Sequence, residues 1–161
     1  YRISSKQSKF RKYLSKTNLV GNKLVDAISV RQIVEVDSRY ILAQTNAHEL
    51  YKIDRRSSQF SRIIRKSEKT NEPEKPYGTS SMFLGSDGHL WSAQQRFLVR
   101  TNVETETYIS FEVPLPKSIE NTILSPNHFQ IFEDRKGEIW WCGKNDLQVF
   151  NKYEFVDSFF K

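Results

Sequence analysis

The sequence predicts an all-β fold made of repeated four-stranded antiparallel sheets. Aromatic residues make up 13% of its 161 residues, and Phe and Tyr, which dominate that fraction, favour strands. No window keeps a 3.6-residue apolar period long enough to predict a helix. The chain also resembles itself at offsets of 48–50 residues, and repeats of this length indicate one supersecondary unit stacked several times.

Corresponding residues of three units carry this self-similarity. In the second and third units a turn Gly is followed by Trp, then by Leu seven residues later and Asn four residues after that. The first unit has Leu in place of Trp and Asp in place of Asn. The stretch from Tyr1 to Phe10 matches Tyr51 to Phe60, which adds the second half of an earlier unit. The recurring positions are Leu42, Leu50 and Asp54 in the first unit, Gly88, Trp91, Leu98 and Asn102 in the second, and Gly137, Trp140, Leu147 and Asn151 in the third.

Turn residues divide each unit into four short apolar segments, which predict strands. The strands are expected at 30–36, 40–44, 49–54 and 59–64, then at 81–84, 89–93, 97–102 and 108–113, and finally at 129–133, 138–142, 147–151 and 155–159. A twisted four-stranded sheet buries both faces only between two other sheets, as the blades of a β-propeller do. We therefore expect a propeller segment of about three blades, at 29–79, 80–126 and 127–161, after a leading half-blade at 1–28.

The recurring residues have structural roles in such a blade. The Gly suits a hairpin position of positive φ, and the Trp or Leu of the second strand supplies the large contact between blades. The Leu of the third strand fills the same layer, and the Asp or Asn after it can turn the chain toward the outer strand. Three blades do not close a ring of the usual four to eight. The expected partners are therefore the remaining blades or another copy of the chain.

The net charge of +6 is concentrated in the first part of the chain. Residues 1–69 contain 16 Lys or Arg and 6 Asp or Glu, whereas residues 70–161 contain 9 and 13. These cations stand singly or in pairs between apolar residues, which is typical of solvated strand faces and turns. We expect no nucleic-acid partner; a polyanion bound by the basic part would lose affinity steeply with salt. Because no apolar run exceeds four residues, no membrane contact is predicted for this segment.

No arrangement of polar residues predicts a catalytic or metal site. Glu133, Asp134 and Glu138 flank a hairpin turn, where acidic residues are common. Cys142 follows Trp141 on a predicted strand and is expected to be a buried, inert thiol. We therefore predict no cofactor and no enzymatic activity for this segment. Ligands of a metal ion must converge, and three His residues at three different repeat positions are not expected to do so: His48, His89 and His128.

Two aromatic residues are candidates for contact with a ligand. Tyr77 ends the linker at 66–78, whose Pro and charge content favours a plain mobile loop. Trp141 must point away from the face that carries Trp140, because successive residues of a strand alternate. Packing between blades is the first expectation for Trp141, and stacking on a sugar is the alternative.

The third unit resembles the two-component regulator propeller repeat. From Ile131 to Trp140 it has the Glu-Asp pair, the turn Gly and the aliphatic-Trp pair of that family's core, and the second unit has the latter half from Asp87 to Trp91. The small Gly-Thr pair usual after the Trp is absent from both units, and the first unit lacks the Gly and the Trp. The family forms the sensor regions of periplasmic hybrid histidine kinases.

This resemblance implies a non-catalytic, ligand-sensing or protein-interaction propeller located in the periplasm. It would respond to a glycan-derived or other small ligand and pass the signal to a cytoplasmic kinase. Two alternatives remain open. An enzymatic propeller of the streptogramin-lyase type has similar Asp-Gly-x-Leu-Trp turns. An interaction scaffold of the WD-repeat type would carry Asp after the Trp, whereas Trp91 and Trp140 are followed by Ser and Trp.

Overall fold

The first sheet is a four-stranded antiparallel meander. The computed structural model of the protein describes residues 29–73, 79–94, 97–113, 130–142 and 147–154. The strands pair in chain order, so that each one is joined to its neighbour by a short turn. They are β1 (Val30–Glu35), β2 (Tyr40–Thr45), β3 (Leu50–Asp54) and β4 (Phe60–Ile63).

The second sheet has five strands, of which one comes from the linker. It contains β5 (Lys66–Ser67), β6 (Thr79–Leu84), β7 (Leu90–Gln94), β8 (Phe97–Asn102) and β9 (Thr107–Glu112), in the order β5-β9-β8-β7-β6. The prediction of a plain loop from residue 66 is therefore wrong at its start, because β5 pairs in parallel with β9. Backbone N–H and C=O groups at the outer edge of β9 would otherwise be unpaired, and β5, which follows β4, forms hydrogen bonds with some of them.

The third sheet shows three strands within the described residues. They are β10 (Gln130–Glu133), β11 (Glu138–Cys142) and β12 (Leu147–Asn151), and a helical turn follows at 152–154. The strand expected at 155–159 and the half-blade at 1–28 lie outside the described residues. The other predicted strands are confirmed to within two residues at each end. The chain is thus all-β, as predicted.

The hydrophobic core lies between the sheets. Side chains from β2 and β3 meet others from β6 and β7, and side chains from β7, β8 and β9 meet others from β10 and β11. Each sheet therefore buries one face against the next, which is the packing that the repeat predicted. The first interface is built around Leu42, Leu50, Ile63, Met82, Leu90 and Val103, and the second around Trp91, Leu98, Ile109, Phe111, Ile131, Ile139 and Trp141.

The turns use the chemistry that the repeat suggests. Gly88 and Gly137 have φ of 75° and 83°, a region that L side chains rarely adopt; Gly88 closes the β6–β7 hairpin and Gly137 the β10–β11 hairpin. At the end of the third strand, Asp54, Asn102 and Asn151 each accept backbone N–H groups of the next few residues through their side chains. The backbone hydrogen bond from Ser57 leads the effects that lower the pKa of Asp54 to about 2.

Candidate functional site

A small cleft opens at one end of the first sheet. The β1–β2, β6–β7 and β10–β11 hairpins lie at the opposite end, here called the hairpin end. The β2–β3 turn and the chain leaving β4 lie at the end with the cleft, here called the linker end. The cleft measures about 60 Å³, and its lining is His48, Glu49, Leu50, Arg62, Ile63, Ile64 and Arg65.

The carboxylate of the cleft is held on both of its oxygens. Arg62 Nη1 lies 3.2 Å from Glu49 Oε1, and the Tyr51 hydroxyl donates a 2.9 Å hydrogen bond to Glu49 Oε2. Burial, and then the hydrogen bond to Glu49, raise the pKa of Tyr51, so that its hydroxyl keeps its proton and remains a donor. The carboxylate of Glu49 is thus bound by its own neighbours, Arg62 and Tyr51.

His48 occupies a strained position in the β2–β3 turn. Its backbone N–H donates to the carbonyl of Thr45, and its φ is 63°, the conformation that Gly has in the two hairpins at the other end. Its Nδ1 atom is buried and has no hydrogen-bond partner within the described residues. Burial, and then the charge of Arg31, lower the pKa of His48, so the imidazole is neutral near pH 7.

The cleft adjoins a polar part of the interface between the first two sheets. Arg65 is 7% exposed, and its Nη1 donates a 3.0 Å hydrogen bond to the hydroxyl of Thr101 on β8. Gln44 on β2 and Ser92 on β7 are also buried in this interface, and Gln44 Oε1 and Ser92 Oγ lack hydrogen-bond partners within the described part of the chain. Buried polar atoms without partners are uncommon in folded proteins, so these two atoms distinguish the interface.

The hairpin end of the second sheet fixes its Trp through an acidic residue. The indole N–H of Trp91 and Arg100 Nε donate to the two carboxylate oxygens of Asp87, at 3.2 and 2.9 Å. Burial acts to raise the pKa of Asp87, but the hydrogen bonds from Arg100 and Trp91 outweigh it and hold the pKa below its usual value. In the third sheet the indole of Trp140 donates instead to Asp134, which lies two repeat positions earlier.

Gly85 occupies the position in the second unit that Asp134 holds in the third. A Cβ atom on Gly85 would lie 2.5 Å from Asp87 Oδ1 and 2.7 Å from Trp91 Cδ1. The carboxylate that binds the indole therefore fills the space that a side chain at Gly85 would need. Two hairpins thus reach the same hydrogen bond from different sequence positions.

A buried ion pair joins the second and third sheets. Lys152 Nζ lies 2.5 Å from Glu133 Oε1, and the backbone N–H and hydroxyl of Ser86 both donate to the same carboxylate at 2.6 Å. The two charged side chains are 1% and 9% exposed. Burial acts to raise the pKa of Glu133, but the hydrogen bonds from Lys152 and Ser86 lower it on balance.

The structure places the predicted residues in three groups. Leu42, Leu50, Trp91 and Leu98 are buried between sheets. Trp141 is 4% exposed within the second interface, so no face of its ring is open to a sugar. Leu147 is 58% exposed on the opposite face of the third sheet, which also carries Trp140.

Tyr77 and His128 lie outside the described residues. Cys142, expected to be buried, is only half-buried.

The sequence itself does not indicate that His48, Arg62 and Arg65 lie close together. They come from a turn, a strand and the start of a connection, and only the meander places them around one cleft. The one available signal was a His at a position where a three-residue hairpin usually has Gly or Asn. Among the described residues, no three His, Cys, Asp or Glu side chains are arranged to hold a metal ion.

Comparison with known proteins places the fold. No family model and no curated protein matches the sequence. The extracellular domain of the hybrid two component system BT4673 from B. thetaiotaomicron is 16% identical, with a TM-score of 0.54 over 89% of this chain and 16% of that one. The WD40 beta propeller domain of Doa1 is 14% identical, with a TM-score of 0.53 over 83% of this chain and 38% of that one. The fold is that of a partial β-propeller.

A third solved structure has a similar likeness. Apo AztD from Citrobacter koseri is 14% identical, with a TM-score of 0.53 over 85% of this chain and 36% of that one. The chain therefore spans between about a sixth and two fifths of the solved chains that it resembles. Within the described residues no helix is long and apolar enough to cross a membrane.

Proposed function

We propose that the chain is a non-catalytic part of the ligand-sensing propeller of a two-component signalling protein, located outside the inner membrane. Its fold is similar over 89% of its length to the extracellular domain of a hybrid two component system. The sequence from Ile131 to Trp140 independently resembles the repeat of that class of sensor. The observation that carries the proposal is that the stretch resembling this repeat forms a hairpin, the one between β10 and β11, within a chain of that fold.

The proposed ligand is glycan-derived or another small molecule, and the proposed partners are further blades of the same ring. The third sheet leaves one face open, with Phe132, Leu147 and Val149 exposed by 48%, 58% and 44%. Phe132 also stacks on Trp140, with ring centroids 6.0 Å apart. The corresponding residues of the second sheet, Trp91 and Leu98 among them, are covered by the third sheet. A further blade with apolar residues on its first two strands would cover the open face in the same way.

The sensor role is tested with the full-length protein in membrane vesicles. Autophosphorylation is measured while oligosaccharides of different composition are added to the side that the propeller faces. We expect one class of oligosaccharide to change the phosphorylation rate and to be recovered unaltered. Recovery of cleaved products would support an enzymatic propeller instead, and a gene without a downstream kinase would refute the sensor role.

The partner blade is tested through Cys142, which lies on the open face beside Trp140. We expect a thiol reagent to label Cys142 rapidly in the 161-residue chain and slowly in the full-length protein, as read by peptide mass mapping. Protection that appears in the short chain only at high protein concentration would identify a second copy as the partner. Rapid labelling in both forms would contradict any cover on this face.

A further inference from the structure

We propose that Gln130, on the open face of the third sheet, binds the main chain of a further blade, accepting the N–H and donating to the carbonyl of one residue on that blade's first strand. The inference rests on the part of the proposed function that places a further blade on this face, and it names the contact that aligns the blade. Corresponding residues make this contact in the two interfaces that the structure describes.

At the first interface a side-chain amide binds the backbone of the next sheet. Gln32 Nε2 donates to the carbonyl of Met82 at 2.6 Å, and Gln32 Oε1 accepts the N–H of the same residue at 3.0 Å. Met82 lies on β6, which is an edge strand of its sheet, and an edge strand has backbone groups that face away from its neighbour. Because a Gln amide has both donors and an acceptor, it can pair with both groups as another strand would.

The second interface repeats this contact with a smaller side chain. The hydroxyl of Ser81 on β6 accepts the N–H of Ile131 at 3.4 Å, and Ile131 lies on β10, again an edge strand. In both interfaces the two residues that interact are 50 positions apart. Gln32 and Ser81 are themselves 49 residues apart, which is the offset between Gly88 and Gly137. Gln32 and Ser81 therefore occupy the same repeat position.

A shift in strand register precedes this position in both units. Between Val30 and Gln32, and again between Thr79 and Ser81, the first strand contains one residue more than the strand with which it pairs. An irregularity of this kind changes the direction of the side chains beside it. Its recurrence at the same place indicates that the backbone directs this position toward the next sheet.

Gln130 occupies this position in the third unit, 49 residues after Ser81. It is exposed and lies opposite Cys142 on β11, on the face that also carries Phe132. Gln130 is thus the residue type that makes the two-bond contact in the first unit, and Gln32 likewise lies on the face whose apolar residues the second sheet covers. The occupant that continues this series is the edge strand of a further blade.

The experiment uses the thiol of Cys142 as a reporter, because it lies opposite Gln130 in the pairing of β10 with β11. Its rate of labelling by a thiol reagent is measured by peptide mass mapping in the full-length protein and in three variants. Gln130→Met keeps the length of the side chain without its amide. Gln130→Ser takes the residue of the second unit, and Gln130→Ala is the matched variant without the hydroxyl. Amide hydrogen exchange is followed at the residue 50 positions after Gln130, the separation found in both described interfaces.

We expect Gln130→Met and Gln130→Ala to raise the labelling rate of Cys142 about tenfold, because the blade opens more easily once two hydrogen bonds to its edge are lost. Gln130→Ser should retain one of these bonds and label more slowly than Gln130→Ala. The amide 50 positions after Gln130 should exchange faster in Gln130→Met than in the wild type.

The outcomes separate the contact from the blade that makes it. Slow labelling of Cys142 in all four proteins, with unchanged amide exchange, would overturn the contact and leave the further blade in place. Rapid labelling of the wild type would refute the further blade itself, and the contact with it. Slow labelling that requires a high protein concentration would identify a second copy, and slow labelling that requires an added oligosaccharide would identify a ligand; either would overturn the proposal.

Discussion

The two interfaces between sheets are packed with side chains of different chemical character. The interface between the first and second sheets is aliphatic and includes buried polar groups, among them Gln44, Ser92 and Arg65. The interface between the second and third sheets is rich in aromatic residues, with Trp91 stacked on Phe111 and Trp141 in the same cluster, and its buried charges are the paired Lys152 and Glu133. The repeat therefore fixes where the contact lies, while its chemistry varies from one gap to the next.

One pair of repeat positions shows how the surroundings decide that chemistry. Lys152 and Glu133 form a buried ion pair in the third unit, and Arg55 and Glu35 form an exposed one at the same positions of the first unit. The second unit has Val103 and Leu84 there, and Val103 is buried in the first interface. A charged pair and an apolar pair thus occupy equivalent sites, and Ser86 is the neighbour that makes burial of the charges tolerable.

The largest effect is expected from truncating the aromatic interface. Trp91→Ala should lower the free energy of unfolding by about 4 kcal/mol, because a fully buried indole leaves a cavity between two sheets. Leu42→Ala, at the same repeat position of the first interface, should cost about 3 kcal/mol. The control is Trp140→Ala on the open face, which should cost less than half as much as Trp91→Ala in urea unfolding. Equal losses for the two Trp variants would contradict the assignment of the open face.

Breaking the buried ion pair should come next. Lys152→Met leaves the Glu133 carboxylate buried beside Ser86 without its cation, and a loss of about 3 kcal/mol is expected. The double variant Glu133→Leu, Lys152→Val takes the residues of the second unit and should restore stability to within about 1 kcal/mol of the wild type. Thermal or urea unfolding of the three proteins checks this. A double variant as unstable as the single one would show that the pair itself is required.

The same pair predicts a dependence on pH. Because the pKa of Glu133 is lowered on folding, its contribution is complete above the pKa of the unfolded chain and is lost as the pH falls through the folded value. Between pH 6 and about pH 3 the wild type should therefore lose more stability than the Glu133→Leu, Lys152→Val variant. If the free energies of unfolding of the two proteins fell in parallel as the pH was lowered, Glu133 would make no such contribution.

A smaller effect is expected at the hairpin that positions Trp91. Gly85→Ala places a methyl group against Asp87 and Trp91, and displacing them should cost about 1–3 kcal/mol. The near-ultraviolet circular dichroism of the Trp residues should change as well, since the indole loses its fixed acceptor. Gly88→Ala tests the same hairpin where no atom is within 4 Å, so only the strain of positive φ acts.

The smallest effect concerns the polar part of the first interface. Ser92 is buried without a hydrogen-bond partner for its hydroxyl in the described chain, so Ser92→Ala should leave stability unchanged or raise it by up to about 1 kcal/mol. Thermal unfolding against the wild type measures this. A clear loss of stability would mean that the hydroxyl has a partner, such as a bound water or ligand.

The sequence allowed the sheets to be predicted because each blade depends on local patterns. Alternating apolar residues recur in every unit and the turn Gly in the second and third, so the strand positions and the roles of Trp91 and Leu98 follow from the repeat. The repeat also supplied the register, since Gly88 and Gly137 each close the hairpin in which they were expected.

Features that depend on contacts between units could not be predicted in this way. The cleft joins residues of three successive segments, and the pair of Lys152 with Glu133 needs a neighbour from the preceding unit. The strand β5 has only two residues and no apolar alternation, so its pairing is set by the free edge of β9. The local sequence of β5 and that of β9 therefore give no indication that the two strands pair.

The pairing of β5 with β9 also affects how the two sheets unfold. The backbone N–H of Lys66 donates to the carbonyl of Glu106, and that of Glu68 donates to the carbonyl of Tyr108. The chain leaving the first sheet is thus hydrogen-bonded to the outer edge of the second. Fraying of β4 should therefore weaken the pairing of β5 with β9. The amides of Lys66 and Glu68 should therefore exchange their hydrogens only when β5 leaves β9, later than the amides of a connection that pairs with no strand.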